Sequence, residues 1–337
     1  MTFFFHMNFK KRFLTPLLLS LSVFVTLPGN PSFGERKDSH QLFLREKFRA
    51  HELRGESQIK VRYSSNSERF LTAASDGRLK IWNQPGVLLE EFVEPSNTMI
   101  FNARFINDSQ YATATYSGAV GLWSLGNIRL PSGHIKHLSA VTDLAIQPRN
   151  NGMVTTSDDG SIRYWSANEK LVKRIRRPGV SRFITQANQR GLIAVTQDIG
   201  TVTLLNMKGD ILQILQTSQG RLNAIRFNAS ETLLATGGFD GTIKIWSVRD
   251  SSLSLKLLHT IPAVQGSGWI RSLDFNQSGL LASSSDDGVL RLWSTQGQLL
   301  ASQKISDHYL VSISFDHAGR SLLAASSDGT VSVLHLN

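Results

Sequence analysis

The chain contains no cysteine in 337 residues, so disulfides, thiol catalysis and thiolate metal sites are all excluded. Helical periodicity of useful length is missing as well. There is no His-Glu-x-x-His helix for a metalloprotease, no G-x-S-x-G nucleophile elbow and no phosphate loop ending in Gly-Lys-Ser/Thr. The nine histidines are scattered without a shared register. The turns Ser157 to Gly160 and Ser285 to Gly288 pair carboxylates, but they lack the spaced ligands and terminal Glu of a calcium loop. No metal site or cofactor is expected, and no motif asks for an enzyme.

What the chain does contain is one phrase written seven times: FLTAASDGRLKIW, YATATYSGAVGLW, MVTTSDDGSIRYW, LIAVTQDIGTVTLL, LLATGGFDGTIKIW, LLASSSDDGVLRLW and LLAASSDGTVSVLH. Each copy runs from an apolar pair through small residues to a tight turn, then alternates up to an anchor. The anchors are Trp82, Trp123, Trp165, Leu205, Trp246, Trp293 and Leu334, spaced 41, 42, 40, 41, 47 and 41 residues apart. Asp-Gly tolerates the positive φ of a hairpin turn, and each copy is flanked by a further strand on either side, so the unit is a four-stranded antiparallel sheet. One such sheet buries too little apolar surface to stand alone. A period near 40 with strand alternation therefore predicts blades stacked around an axis. The fold class expected is all-β: a single seven-bladed β-propeller of four-stranded antiparallel blades over residues 41–337.

These letters resemble the WD-repeat family. The resemblance implies that the ring is closed by the N-terminal strand: little chain follows Leu334, and Gln41 to Leu53 is available as the outer strand of the last blade. It further implies a buried hydrogen-bonded network of a Trp anchor, a Ser or Thr, the turn Asp and a preceding His. Only the third copy shows all four, as His137, Thr155, Asp159 and Trp165. The first, fifth and sixth copies read as lacking the His. Trp123 has Ser117 where Asp belongs, and the fourth copy has Ile199 and Leu205 for Asp and Trp, which makes it the weakest blade. Such a network is read as structural rather than catalytic. Lys80, Arg163, Lys244 and Arg291, each two before its anchor, are read as exposed solubilising charges.

Residues 1–34 differ in kind. Lys10, Lys11 and Arg12 precede an apolar stretch from Leu14 to Leu27, then Pro28, Gly29 and the small residues Ser32 and Gly34. That pattern describes a secretory signal peptide, and export to a periplasm, cell envelope or the extracellular space is expected. The alternative is a membrane anchor formed by residues 13–27, and the chain would then meet a membrane only through its uncleaved N-terminus. The formal net charge of +10 falls to +7 without those three basic residues.

Two surface features are candidates for function. In the WD-repeat family the loops before the first strand and between the second and third strands share the face that usually holds partners. Aligning the copies gathers Arg221, Phe239, Trp269 and Tyr309 on that face in blades five to seven, and Arg, Trp and Tyr are the residue types of binding hot spots. The 47-residue step is assigned to the loop Pro262 to Gly268 that leads into Trp269. The second feature is a basic stretch, Lys173, Arg174, Arg176, Arg177 and Arg182, placed on the outer edge of blade three and the loop after it.

The function expected is a non-enzymatic, exported scaffold that holds a protein or peptide partner on the loop face. It is expected to act as a monomer or as part of a hetero-complex, with no specific nucleic-acid recognition. The alternatives are a propeller hydrolase or lactonase with its site at the central channel, and a binder of an anionic polymer through the basic stretch.

Overall fold

Every turn of the repeated phrase joins two strands of one sheet, and its glycine takes the conformation the turn needs. Gly77, Gly118, Gly160, Gly200, Gly241, Gly288 and Gly329 all have φ between 68° and 88°. A side chain is also sterically barred there. A Cβ on Gly160 would sit 2.9 Å from the carbonyl oxygens of Arg177 and Gly179. The computed structural model describes residues 40–337 except 54–56, 84–85, 96–97, 127, 130–134, 148–150, 250–252 and 265–267. The segment 1–34, read from sequence as a signal peptide or anchor, lies outside the described residues.

Strand β1 (Leu42–Arg49) precedes seven sheets. Blade 1 comprises β2 (Ile59–Tyr63), β3 (Arg69–Ala74), β4 (Arg78–Asn83) and β5 (Leu88–Val93). Blade 2 comprises β6 (Ile100–Asn107), β7 (Gln110–Thr115), β8 (Val120–Ser124) and β9 (Ile128–Arg129). Blade 3 comprises β10 (Val141–Gln147), β11 (Gly152–Ser157), β12 (Ser161–Trp165) and β13 (Leu171–Arg176). Blade 4 comprises β14 (Ser181–Ala187), β15 (Leu192–Gln197), β16 (Thr201–Asn206) and β17 (Ile211–Gln216). Blade 5 comprises β18 (Leu222–Phe227), β19 (Leu233–Gly238), β20 (Thr242–Arg249) and β21 (Ser254–Pro262). Blade 6 comprises β22 (Ile270–Phe275), β23 (Leu281–Ser285), β24 (Val289–Trp293) and β25 (Leu299–Lys304). Blade 7 comprises β26 (Leu310–Phe315), β27 (Ser321–Ser326) and β28 (Thr330–Leu336), with β1 as its fourth strand.

The first strand of each blade lies innermost and touches the first strand of the next, around to β2 against β26. The ring is therefore closed. β1 pairs antiparallel with β28 from Leu42 opposite Leu336 to Arg49 opposite Thr330, as the resemblance implied. The hydrophobic core is divided into seven clusters, each between neighbouring blades. Leu71, Leu79 and Ile81 of blade 1 meet Ile100, Tyr111 and Trp123 of blade 2. Phe70 and Trp82, on the other face of blade 1, meet Val311 and Leu323 of blade 7. Each sheet is thus buried on both faces, and no blade has a complete core of its own.

Blade 4 is a full four-stranded sheet despite its weak motif. Here Val195 occupies the Thr position and Leu205 the Trp position, so donor and acceptor are lost together and no polar group is orphaned between them. Blade 5 corrects one expectation. The additional length of the 47-residue step lies mainly in the hairpin of β20 and β21, eight and nine residues long, rather than in the loop before Trp269.

Candidate partner-binding face

The buried networks come first, because they fix the loops that carry the face. In blade 3 the Trp165 indole donates to Thr155 Oγ1 at 2.9 Å, and Thr155 Oγ1 lies 2.6 Å from His137 Nε2. His137 Nδ1 faces Ser161 Oγ at 3.1 Å and Asp159 Oδ1 at 3.5 Å. Ser161 Oγ donates to Asp159 Oδ1, so both groups facing Nδ1 are acceptors; the proton of a neutral imidazole therefore belongs on Nδ1, and Thr155 donates to Nε2. Burial, reinforced by the nearby Arg163, pulls the His137 pKa down to about 4, which keeps the ring neutral near pH 7.

The first blade has the same network, and here the sequence reading needs correction. Its His is His51, contributed by the segment that follows the closing strand. His51 Nδ1 lies 2.9 Å from Asp76 Oδ2, His51 Nε2 lies 2.7 Å from Thr72 Oγ1, and the Trp82 indole donates to Thr72 at 2.9 Å. Two other blades place a different acceptor at that point. Thr113 donates to Glu94 Oε1 at 2.5 Å in blade 2, and Thr236 donates to Gln219 Oε1 at 2.6 Å in blade 5. A search for His alone overlooks both. The signal available was position: each of these residues precedes the first strand of its blade.

The basic residues two before the anchors are not free surface charges. Lys80 Nζ donates to the carbonyl of Ala50 at 2.8 Å, Lys244 Nζ to that of Thr217 at 2.5 Å, and Arg163 to that of Lys136 at 2.5 Å. Arg291 pairs with Asp287 at 2.6 Å. The first three tie the loop that precedes the blade to its third strand. Alternation gave their direction correctly, but not the neighbouring carbonyls that the ring brings over them.

On the loop face the turn residue of one hairpin hydrogen-bonds to the residue that enters the first strand. Phe239 N donates to Arg221 O at 3.0 Å, Asp286 N to Trp269 O at 3.2 Å, and Ser327 N to Tyr309 O at 2.9 Å. That register brings the four predicted residues together. The rings of Phe239 and Trp269 stack with centroids 3.9 Å apart and planes 6° from parallel. The Arg221 guanidinium carbon lies 5.4 Å from the Phe239 ring centre. Arg271, which sequence reasoning passed over, lies 4.5 Å from the Trp269 ring and 5.0 Å from that of Tyr309. Asp286 ion-pairs with Arg271 and so steadies it. All five side chains are half-buried.

This column borders a cavity of about 190 Å³ that opens at the centre of the face and is also lined by Lys60, Phe101, Arg182, Phe183 and Asn223. The basic stretch, by contrast, is divided. Arg174 and Arg176 are exposed on β13, Lys173 pairs with Asp210 of the next blade at 2.8 Å, and the Arg177 Nε donates to Thr203 at 3.2 Å. Arg182 is on the innermost strand β14, at the central cavity, 3.5 Å from Asp158. Among the described residues no group of three or more His, Asp or Glu side chains is arranged to hold a metal ion, and no helix is long and apolar enough to cross a membrane.

Comparison with known proteins agrees with this architecture. The family model for the WD domain, G-beta repeat (WD40), matches residues 44–83, 128–166, 209–247, 255–294 and 298–334. The second and fourth copies fall outside the matched windows. An uncharacterized WD repeat-containing protein of Synechocystis sp., slr1410, is 38% identical over 296 residues, spanning 88% of this chain and 87% of the relative. Periodic tryptophan protein 2 of Arabidopsis thaliana is 24% identical across 70% of this chain and 22% of its own length. WD repeat-containing protein 46 of Mus musculus is 30% identical across 49% of this chain and 26% of its own length.

Proposed function

The chain belongs to the WD40 repeat family, and from that premise we propose that it is a non-enzymatic, exported scaffold that holds a protein or peptide partner on its loop face through blades 5 to 7. The observation that carries this reading is the column Arg221, Phe239, Trp269, Arg271 and Tyr309, in which three blades contribute to one continuous contact surface. Aromatic and Arg side chains dominate binding hot spots because they combine large apolar area with directional polar groups. Their mutual stacking, together with the Asp286 anchor, holds them in place before a partner arrives. Little ordering entropy is then lost on association.

The family itself supports a protein-interaction role, and the charge and apolar pattern of residues 1–34 supports export. The test combines both points. Tagged full-length protein is recovered from the envelope fraction of its source organism, its N-terminal peptide is identified by mass spectrometry, and co-purifying chains are compared between wild type and the Trp269→Ala, Arg221→Glu double variant. The reading expects cleavage within residues 1–34 and a partner retained by the wild type alone. Equal recovery of the same partner by a folded double variant would move the binding site elsewhere.

A further inference from the structure

Among the described residues, two cations inside the ring form no ion pair. All seven innermost strands contribute side chains to a narrow axial cavity, whose charged members are Lys60, Arg62, Arg104, Asp143, Arg226 and Arg271. Pairing neutralises most of them. Arg104 Nη2 lies 3.1 and 3.2 Å from the two oxygens of Asp143, Arg226 Nε lies 3.0 Å from Asp274 Oδ1, and Arg271 is paired with Asp286. Lys60 and Arg62 remain.

These two are alternate residues of β2, so the strand presents both from one face toward the axis. Among the described residues neither head group has an ion pair or a hydrogen bond. Lys60 Nζ sits 5.2 Å from the Phe183 ring centre instead, and Arg62 Nε is shielded from solvent without an acceptor. Asn223 adds a third unused donor, since its Nδ2 is buried without an acceptor and the residue lines both the axial cavity and the basin above it. Burial, with Arg62, Arg104 and Arg271 close by and Asp143 opposing, pulls the Lys60 pKa down to about 8. Buried charge without a partner is costly, and an anion would relieve it.

We propose that the axial channel binds a phosphate-class dianion, held by Lys60 and Arg62 and reached from the loop face past Asn223. The valence follows from the two uncompensated positive charges. The size follows from the cavity volume of about 40 Å³, which suits one tetrahedral group and not a sugar or a base. Access follows from the residues Lys60, Phe183, Asn223 and Arg271, which line both the channel and the open basin. Lys60 and Arg62 lie outside the aromatic column, which meets the channel only at Arg271, and the proposal does not depend on the partner proposed for that column.

Titration calorimetry on the full chain at constant ionic strength tests this, with inorganic phosphate, O-phosphoserine and acetate as ligands. Wild type is expected to bind one phosphate saturably and about tenfold more tightly than acetate, because two fixed cations discriminate by charge. Lys60→Met and Arg62→Leu are each expected to weaken phosphate by about tenfold, whereas Lys60→Arg and Trp269→Ala stay within about twofold. Circular dichroism establishes that each variant is folded, and phosphorus NMR of the wild type gives a reading independent of any variant. Comparison of the two phosphate ligands identifies the source: a preference for O-phosphoserine marks a monoester, and a preference for phosphate marks the free ion. Absence of saturable binding by wild type, equal affinity for acetate, or unchanged affinity in both Lys60→Met and Arg62→Leu would overturn the proposal. So would a loss in Trp269→Ala as large as in Arg62→Leu, because the anion would then lie on the face.

Discussion

The rings of Phe239 and Trp269 lie face to face, 3.9 Å apart and within 6° of parallel, although they belong to different blades. Two aromatic quadrupoles ordinarily avoid a full sandwich. Here a guanidinium is near each ring, Arg221 by Phe239 and Arg271 by Trp269, so electron-rich rings are drawn between cations. The pair therefore bridges blades 5 and 6 as well as forming a surface.

That bridging predicts energetic coupling. Phe239→Ala and Trp269→Ala, alone and together, are expected to give an interaction free energy of about 1 kcal/mol in a double-mutant cycle on chemical unfolding. Strict additivity would show that the stack is only two neighbouring exposed rings.

Ring closure is predicted to depend on His51 as well as on the pairing of β1 with β28. His51→Ala removes one of the two partners of the buried Thr72 hydroxyl and one of those of Asp76, leaving the Trp82 indole and the Arg78 N–H, at a cost of about 1–3 kcal/mol for the lost buried bonds. His51→Gln is expected to recover part of the loss, because Gln219 already accepts from Thr236 at the corresponding point of blade 5. Thermal melting of the two variants decides this, and equal destabilisation would remove the hydrogen-bonding explanation.

The seven blades were legible because each rests on a local pattern of turn chemistry and alternation; the closing strand and the face that gathers the four residues followed from the family resemblance, with a fixed offset in each copy picking the residues out. His51 was not, since it follows the strand that closes blade 7 yet completes the network of blade 1. Arg271 and the channel cations were missed for a related reason. Arg62, Arg104 and Arg226 each precede an aromatic residue, Tyr63, Phe105 and Phe227, in their innermost strands, but only the ring brings seven such strands around one axis. Bulges near the start of the innermost strands, such as that between Ile270 and Ser272, shift which residues face inward, so simple alternation misplaces them.

Blade 4 predicts how the indole and hydroxyl should behave elsewhere. In blade 5, Thr236→Val leaves the Trp246 indole N–H without its acceptor at 3.0 Å, and is expected to cost about 1–3 kcal/mol. In a Trp246→Leu background the same change should cost distinctly less, since the combination is the Val195 and Leu205 arrangement of blade 4. Equal costs in both backgrounds, measured by urea unfolding, would show that the hydrogen bond contributes nothing.

His137 makes stability depend on pH in a window of its own. Its pKa is about 4 in the folded chain against an ordinary imidazole value of 6.5, with burial the main cause and Arg163 next. The folded state keeps the ring neutral while the unfolded chain takes up a proton below about pH 6.5, so the unfolded state binds more protons and stability falls as pH drops. The contribution is complete above about pH 6.5 and gone by about pH 4, a loss on the order of 2–3 kcal/mol for this buried ring. Asp159 does not share the window. Hydrogen bonds from Ser161 and from the Leu138 backbone outweigh the opposing effect of burial and hold its carboxyl well below the usual carboxylate range, so its contribution is lost only at more acidic pH. His137→Gln keeps a side-chain acceptor in place of Nε2 but has no titrating ring. The difference between wild-type and variant melting temperatures should therefore narrow steadily from pH 6.5 to pH 4, and a difference that stays constant over that range would mean that His137 is protonated in the fold.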